Sequence, residues 1–278
     1  MKIIQITDTH LGAPDEMISC LSPIVRLQTC VADIESNHSD ADFCVFSGDL
    51  TDAGKPEAYQ AFREIINALT PPAILMMGNH DNRQNLSAAF PELEKDNNGF
   101  VQSTQRNDEG DFIFLDTVDQ GSHLGLYCEK RRHWLTDQLE KAQGRPVFLF
   151  MHHPPFDVGL PSLDALGLQD KEAFAEVLYR HDNIRHLFFG HVHRPISGSW
   201  QGIPFSALRG TNHGVAFDFT APGYVPKSYE PPAYAVIFIE DGNVLVHLHD
   251  FLDETKMVLD DKGRWIFERT GEYVVAGC

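Results

Sequence analysis

Short runs of β-branched and aromatic residues alternate along the chain with segments whose apolar residues recur at helical spacing. The strand-like runs are Lys2 to Thr7, Asp42 to Ser47, Ala73 to Met77, Phe112 to Asp116, Val147 to Met151 and His186 to Phe189. Late in the chain come Pro204 to Leu208, Ala233 to Ile239 and Val244 to His249. Between them, Val25, Leu27, Val31 and Ile34 predict a helix over 23–37. Tyr59, Phe62, Ile65, Ile66 and Leu69 predict another over 56–69, with Pro56 suited to its first turn. Helices are also expected over 131–143, around Trp134, Leu135 and Leu139, and over 170–179. Most of these apolar side chains belong to a core and carry no chemistry. The alternation marks a layered α/β or α+β protein. Two stretches keep neither period: Pro154 to Gln169, and Ile196 to Pro232, which is rich in glycine and proline. Long irregular stretches in a compact domain are usually functional loops or contact surfaces, so 196–232 is expected to cap a site or to touch another subunit.

Composition narrows the class. A chain of 278 residues with 42% apolar and 22% charged residues suits one globular domain spanning 1–278. Its 22 basic residues face 40 acidic ones, a net charge of −18, with the acids spread along the chain. Such a field repels polyanions, so no polymeric nucleic acid is expected as partner. Cys20, Cys30, Cys44, Cys128 and Cys278 are odd in number and contain no CxxC pair, which points to a reducing compartment without structural disulfides. The chain enters its first strand without a charged and then apolar leader, and no apolar run nears membrane-spanning length. A cytoplasmic protein with no membrane partner is the expectation.

The chemistry sits behind the strands. The first is followed by "TDTHLG" with Asp8 and His10, the second by "SGDLTDAG" with Asp49, and the third by "GNHDNR" with Asn79, His80 and Asp81. The fifth ends in "MHHPP", where two prolines force an abrupt exit from the sheet after His152 and His153. The sixth ends in "GHVHRP" with His191 and His193. Any one of these could be an ordinary turn, because Asp, Asn and Gly are common turn residues. Five in order, each at a strand's end and most beside a glycine that lets backbone approach, point instead to a metal centre.

These ordered blocks, DxH, GDxx, GNHD, an HxPP-like histidine block and GHxH, resemble those of the calcineurin-like metallophosphoesterases over Asp8 to His193. The "GKPEAYQAFREI" segment, the doubled histidine and a later "GTNH" resemble the bacterial branch that holds class III cyclic-nucleotide phosphodiesterases and glycerophosphodiesterases. The resemblance implies a four-layer αββα sandwich, two mixed sheets flanked by helices. It implies two divalent transition-metal ions, Mn, Fe, Zn or Co, one held by Asp8, His10, Asp49 and His193 and the other by Asp49, Asn79, His152 and His191. Asp49 would bridge them, and a water held between the ions as hydroxide would attack the phosphorus in line. His80 would stabilise or protonate the leaving oxygen with Asp81 orienting it, and His213 would face the substrate. His153 is expected beside the ligands or packed on the prolines, because neighbours on a strand exit point apart. His123 and the remaining histidines fall in no block, and a surface or core place is expected for them.

The expected activity is hydrolysis of small phosphodiesters, cyclic nucleotides or glycerophosphodiesters, by a homo-oligomer. A phosphomonoesterase, a nuclease or a phospholipid-linked hydrolase is the alternative; nucleases and lipid-surface enzymes would be helped by a basic face that this sequence lacks. A non-catalytic scaffold requires lost ligands, and every ligand position is intact.

Overall fold

The alternating runs build two mixed sheets laid face to face. In this computed structural model, residues 1–220, 223–253, 256–269 and 272–275 are described. The strands are β1 (Lys2–Ile6), β2 (Phe43–Phe46), β3 (Ala73–Leu75), β4 (Ser103–Asn107), β5 (Gly110–Phe114), β6 (Val147–Met151), β7 (Ile184–Phe189), β8 (Ile196–Trp200), β9 (Ile203–Ala207), β10 (Gly214–Val215), β11 (Lys227–Ser228), β12 (Tyr234–Glu240) and β13 (Asn243–His249). The helices are α1 (Pro23–His38), α2 (Pro56–Ile66), α3 (Arg83–Ala89), α4 (Glu129–Lys141), α5 (Pro161–Asp164) and α6 (Lys171–Leu178). One sheet has the order β13-β12-β1-β2-β3, with β1, β2 and β3 parallel; the other runs β4-β5-β6-β7-β9-β8, with β5, β6, β7 and β9 parallel. A C-terminal meander, β14 (Lys256–Leu259), β15 (Trp265–Arg269) and β16 (Glu272–Val275), forms its own small sheet.

Three apolar layers hold the sandwich. Between the sheets, Ile3, Phe43, Val45 and Ile237 meet Phe112, Phe114, Phe148, Phe150 and Phe188. Phe43 stands edge-on to Phe112 across that gap, with ring centroids 5.6 Å apart. Outside the first sheet, Leu27, Cys30, Val31 and Ile34 of α1 and Tyr59 and Phe62 of α2 pack on Ile4, Ile6, Cys44 and Phe46. Outside the second, Leu135 and Leu139 of α4 and Phe174 and Leu178 of α6 pack on Ile113, Leu149 and Leu187. Strands covered on both faces need apolar residues throughout, and β2 and β6 are buried at every position. This is the αββα arrangement expected from the sequence.

The departures have local causes. Val25, counted into the apolar stripe of α1, is 57% exposed; Ile24 packs on the core in its place. The polar run Ser103–Asn107, not among the expected strands, pairs antiparallel with β5 as a sheet edge, where alternate positions need no burial. The seven residues of α3 bury only Leu86 and carry too short a period to read; Asn82 caps the helix by accepting from Asn85 N at 3.0 Å. The strand expected over Pro204 to Leu208 is β9, and Ile196–Trp200, read as irregular, pairs with it as β8 in a hairpin at the edge of the second sheet. The β14–β16 meander was not foreseen either. Cys20, Cys30, Cys44 and Cys128 are free thiols, and Cys278 lies outside the described residues. Among the described residues no helix is long and apolar enough to cross a membrane.

His186 on β7 is 7% exposed, stacks on Phe188 and shares a 2.9 Å hydrogen bond with Ser206 Oγ. Burial pushes its pKa down to about 4 from the ordinary 6.5. The unfolded chain therefore takes up a proton on this ring that the folded chain refuses. Its contribution to stability is complete above pH 6.5 and is lost as pH falls towards 4, up to about 3 kcal/mol in all. In urea denaturation of metal-free protein, His186→Gln should lose less stability than wild type between pH 7.5 and pH 5. Parallel losses in the two proteins would place the acid sensitivity elsewhere.

Candidate metal centre

Every expected block leaves its sheet on the same side of the sandwich. The loops after β1 and β2 run side by side: Asp8 N donates to Gly48 O at 3.1 Å, His10 N to Asp49 O at 2.9 Å and Leu11 N to Leu50 O at 3.1 Å. Five of the residues concerned have left-handed backbone, Asp8 (φ 54°), His10 (44°), Asp49 (51°), His191 (66°) and His193 (48°). Each such conformation costs a non-glycine residue about 1 kcal/mol or more, and packing around the site must hold it. The glycines of the blocks are steric necessities. A Cβ on Gly48, itself at φ 102°, would lie 2.4 Å from His152 Nδ1, and one on Gly78 would lie 2.2 Å from Asp49 Oδ1.

Asp8, His10, Asp49 and His193 form one cradle, all buried, with ligand-type atoms within 4.8 Å of one another. The ring tautomers follow from the outer partners. His193 Nδ1 donates to the His213 carbonyl at 2.8 Å, and His10 Nδ1 faces Asp52 Oδ1 at 3.1 Å. Both Nε2 atoms consequently turn their lone pairs inward, 3.2 Å from each other, and His193 Nε2 lies 3.2 Å from Asp8 Oδ1. Lone pairs packed this way need a cation or a proton among them. Burial opposes charge on Asp8 and on His193, but each supplies the other's counter-charge: the Asp8 carboxyl is held far below its ordinary pKa and the His193 imidazole above its own. Both Asp8 oxygens are buried without a hydrogen-bond donor.

The second cradle comes mostly from the facing sheet. His152 Nδ1 donates to Ser47 O at 2.9 Å, leaving Nε2 buried without a partner and 3.4 Å from Asp49 Oδ2. His10 Nε2 approaches the same oxygen from the other cradle at 3.6 Å. Burial works against a charged His152, yet Asp49 and Asp8 raise its pKa to about 9. Asn79 Oδ1 and His191 Nδ1 meet at 3.0 Å, and His191 Nε2 is a buried atom without a partner. The donor set of imidazoles and carboxylates, with orphaned lone pairs aimed inward, fits divalent transition metals.

His153 lies beside the ligand histidines, as expected, but its ring does not point away from that of His152. β6 ends at Met151, so the two histidines occupy a bend and both rings enter the cluster, 5.0 Å apart. His153 Nδ1 lies 2.8 Å from Thr117 Oγ1, its ring centroid 4.7 Å from that of His191, and its Nε2 has no partner. His213 packs against His10 and His193 with centroids 5.0 and 4.7 Å away; burial and those neighbours hold it neutral, with a pKa down at about 2.

Asp81 does not orient the His80 ring, as the sequence suggested. The His80 Nδ1–H donates to the Asp52 carbonyl at 2.7 Å, and the ring stands edge-on to His10. Asp81 is buried and accepts from the backbone N–H groups of Leu50, Thr51 and Gly78, from Thr51 Oγ1 and from the Tyr59 hydroxyl. It ties the loop after β3 to the loop after β2. Burial and then the charge of Asp49 push its pKa up to about 6 in spite of these donors. Meanwhile His80 N donates to Asp49 Oδ1 at 2.8 Å.

Two residues escaped the sequence reading. Asp52 supports both His10 and His80; its place three residues after Asp49 in "GDLTD" was the available signal. His123 lies against His80, 5.0 Å between centroids, and 3.0 Å from Asn79 Nδ2, although it belongs to no block. Together with Asp52, Asn79, His80, Asn82 and Gln120 it lines a recess of about 260 Å³.

Two clusters of ligand-type side chains meet at Asp49 beside a polar recess where the strands end, and their donors suit divalent metal ions. The sequence profile of the calcineurin-like phosphoesterases matches residues 1–195, and the chain belongs to that family. It is 42% identical over 255 residues to a probable cyclic nucleotide phosphodiesterase of Rhodopseudomonas palustris, covering 91% of this chain and 93% of the relative. It is 31% identical to a probable glycerophosphodiester phosphodiesterase, GpdQ, of Arcobacter nitrofigilis, covering 84% and 86%. Its fold is similar to the crystal structure of a dimetal phosphatase from Danio rerio, with a TM-score of 0.68 at 14% identity over 90% of this chain and 96% of the other. The enzyme class is that of the metal-dependent phosphodiesterases.

Tyr59 tests the loop clamp. Its hydroxyl donates to Asp81 Oδ1 at 2.9 Å and accepts from Asn82 N at 2.8 Å. Tyr59→Phe keeps the shape and leaves that N–H without its acceptor, so it should cost about 2 kcal/mol in chemical denaturation. A loss under about 0.5 kcal/mol would show that the clamp does not rely on this hydroxyl.

Proposed function

We propose that the protein hydrolyses small phosphodiesters, of the glycerophosphodiester or cyclic-nucleotide kind, at a centre of two divalent transition-metal ions. The observation that carries this reading is Asp49 Oδ2, approached by His10 Nε2 from one cradle and His152 Nε2 from the other at 3.6 and 3.4 Å. One carboxylate oxygen so placed would be available to two ions. Asp8, His10, Asp49 and His193 would hold the first, and Asp49, Asn79, His152 and His191 the second. When bound, such a pair supplies an acidified water and Lewis acidity at the phosphoryl oxygens. The absence of thiolate among the donors favours Mn, Fe, Zn or Co.

The remaining residues manage protons and access. The Asp52 carbonyl holds the His80 Nδ1–H, so Nε2 is the free ring nitrogen; protonated as the imidazolium, it would give its proton to the leaving alkoxide and return to the neutral ring. Asp81 is the positioning residue of this loop, and His213 holds His193 through its carbonyl while its ring lines the first cradle. A diester carries one negative charge where a monoester carries up to two, so a protein of net charge −18 repels it less. The segments 154–169 and 196–232 follow ligand histidines and limit access to compact substrates. Phe217, Phe219, Tyr224 and Tyr229, all more than half exposed, suit contact with another copy of the chain.

Asp49→Asn should reduce turnover by roughly a hundredfold or more, beyond the usual cost of losing an outer partner, with loss of metal from both sites; Asp8→Asn should empty mainly one. Metal content measured beside activity checks this, and a fully loaded, active Asp49→Asn protein would end the bridging assignment. On substrates, kcat/KM should favour a glycerophosphodiester or a cyclic nucleotide over an aryl monoester and a DNA oligomer. A monoester or oligomer ahead by more than about tenfold, or about 1.4 kcal/mol, would reject the diester assignment while leaving the metal centre intact.

A further inference from the structure

The recess beside His80 is closed on one side by an arm, residues 118–125, whose ends meet in an antiparallel bridge between Val118 and Gly125. Its base is rigid. Asp116, fully buried, accepts from Arg83 Nε and Nη2 at 3.2 and 2.8 Å, from Val101 N at 2.9 Å and from Val118 N at 3.0 Å, with Arg131 Nη1 at 3.4 Å. Gly125 lies so close to His153 that a Cβ there would stand 2.6 Å from the ring. Gln120 pins the arm again by accepting from Arg83 N at 3.1 Å. The tip carries His123 to Asn79.

A carboxamide is nearly symmetric in shape but not in chemistry: only Oδ1 can ligate a cation, and Nδ2 carries two hydrogens and no lone pair. Asn79 Nδ2 donates to His123 Nδ1 at 3.0 Å, while Oδ1 sits 3.0 Å from His191 Nδ1. Turned over, the group would set Oδ1 against the His123 lone pair and Nδ2 into the second cradle. As the neutral oxygen donor of that cradle, Asn79 holds a cation by dipole alone, so its orientation matters more than that of a carboxylate, either of whose ends can bind.

We propose that His123 is the positioning residue of Asn79, selecting the amide orientation that presents Oδ1 to the second ion, and that second-ion affinity depends on it. The proposal rests on Asn79 being a ligand of that ion. Mn²⁺ titration calorimetry on the full chain, stripped by chelation, tests it in wild type, His123→Ala, His123→Gln and Asn79→Ala. His123→Ala should weaken the second Mn²⁺ about tenfold, as removal of an outer partner does, and leave the first unchanged. His123→Gln, whose Oε1 can accept from Nδ2, should restore most of the loss. If Asn79→Ala weakens the second ion and His123→Ala does not, the positioning role is wrong and the ligand stands. If His123→Ala weakens both ions alike, or Gln rescues nothing, orientation of the amide is not the cause and the proposal falls. If Asn79→Ala leaves the second ion as tight as in wild type, the ligand reading and the proposal fall together.

Discussion

Burying two aspartates and several imidazoles at one point is tolerable only if their charges and lone pairs are balanced there, and that constraint organises the molecule. Asp8 and Asp49 lie at 0 and 1% exposure, in an environment where an isolated carboxylate is costly. Each imidazole that faces them is turned by a fixed outer acceptor: the Ser47 carbonyl for His152, the His213 carbonyl for His193 and the Asp52 carboxylate for His10. Those acceptors leave the inward nitrogens as lone pairs, so the centre as a whole selects positive charge. The strained backbone, the crowded glycines and the Asp81 clamp all serve to hold these donors within bonding range of one another.

The two sheets make that convergence possible. Asp8, His10, Asp49 and Asn79 come from edges of the five-stranded sheet, and His152, His191 and His193 from edges of the six-stranded one. Phenylalanines at 43, 112, 114, 148, 150 and 188 fill the space between the sheets and fix how far apart those edges stand. A large-to-small change in this layer opens a cavity and lets the edges shift. Positions far from the chemistry thereby acquire a say in metal geometry.

How much of this was written in the sequence depends on whether the information was local. The parallel strands were legible because strands buried on both faces are continuous apolar runs, and the ligand blocks because each is a short motif just after such a run. The αββα layering came through the same blocks. What was hidden depended on tertiary partners. His123 has no motif, and only the arm's anchoring on Asp116 brings it to Asn79. Asp81 reads as a partner for its neighbour in sequence, but its carboxylate turns to backbone N–H groups that the chain supplies some thirty residues earlier. His153 reached its expected place beside the ligands through a bend after Met151 rather than through the alternation of a strand. Of the β8–β9 hairpin the second strand was legible, while the first was obscured by Gly198, which an edge tolerates.

Because the donors are divided between the sheets, an ion bound here is also a rivet through the sandwich. The unfolded chain cannot offer this arrangement, so binding stabilises the folded state by mass action, about 2.7 kcal/mol when free metal stands at a hundred times its dissociation constant. Metal scarcity would then do more than idle the enzyme. It would loosen the two halves from each other, raise the fraction of chains open to proteases, and make the protein's abundance follow the supply of the ions it needs.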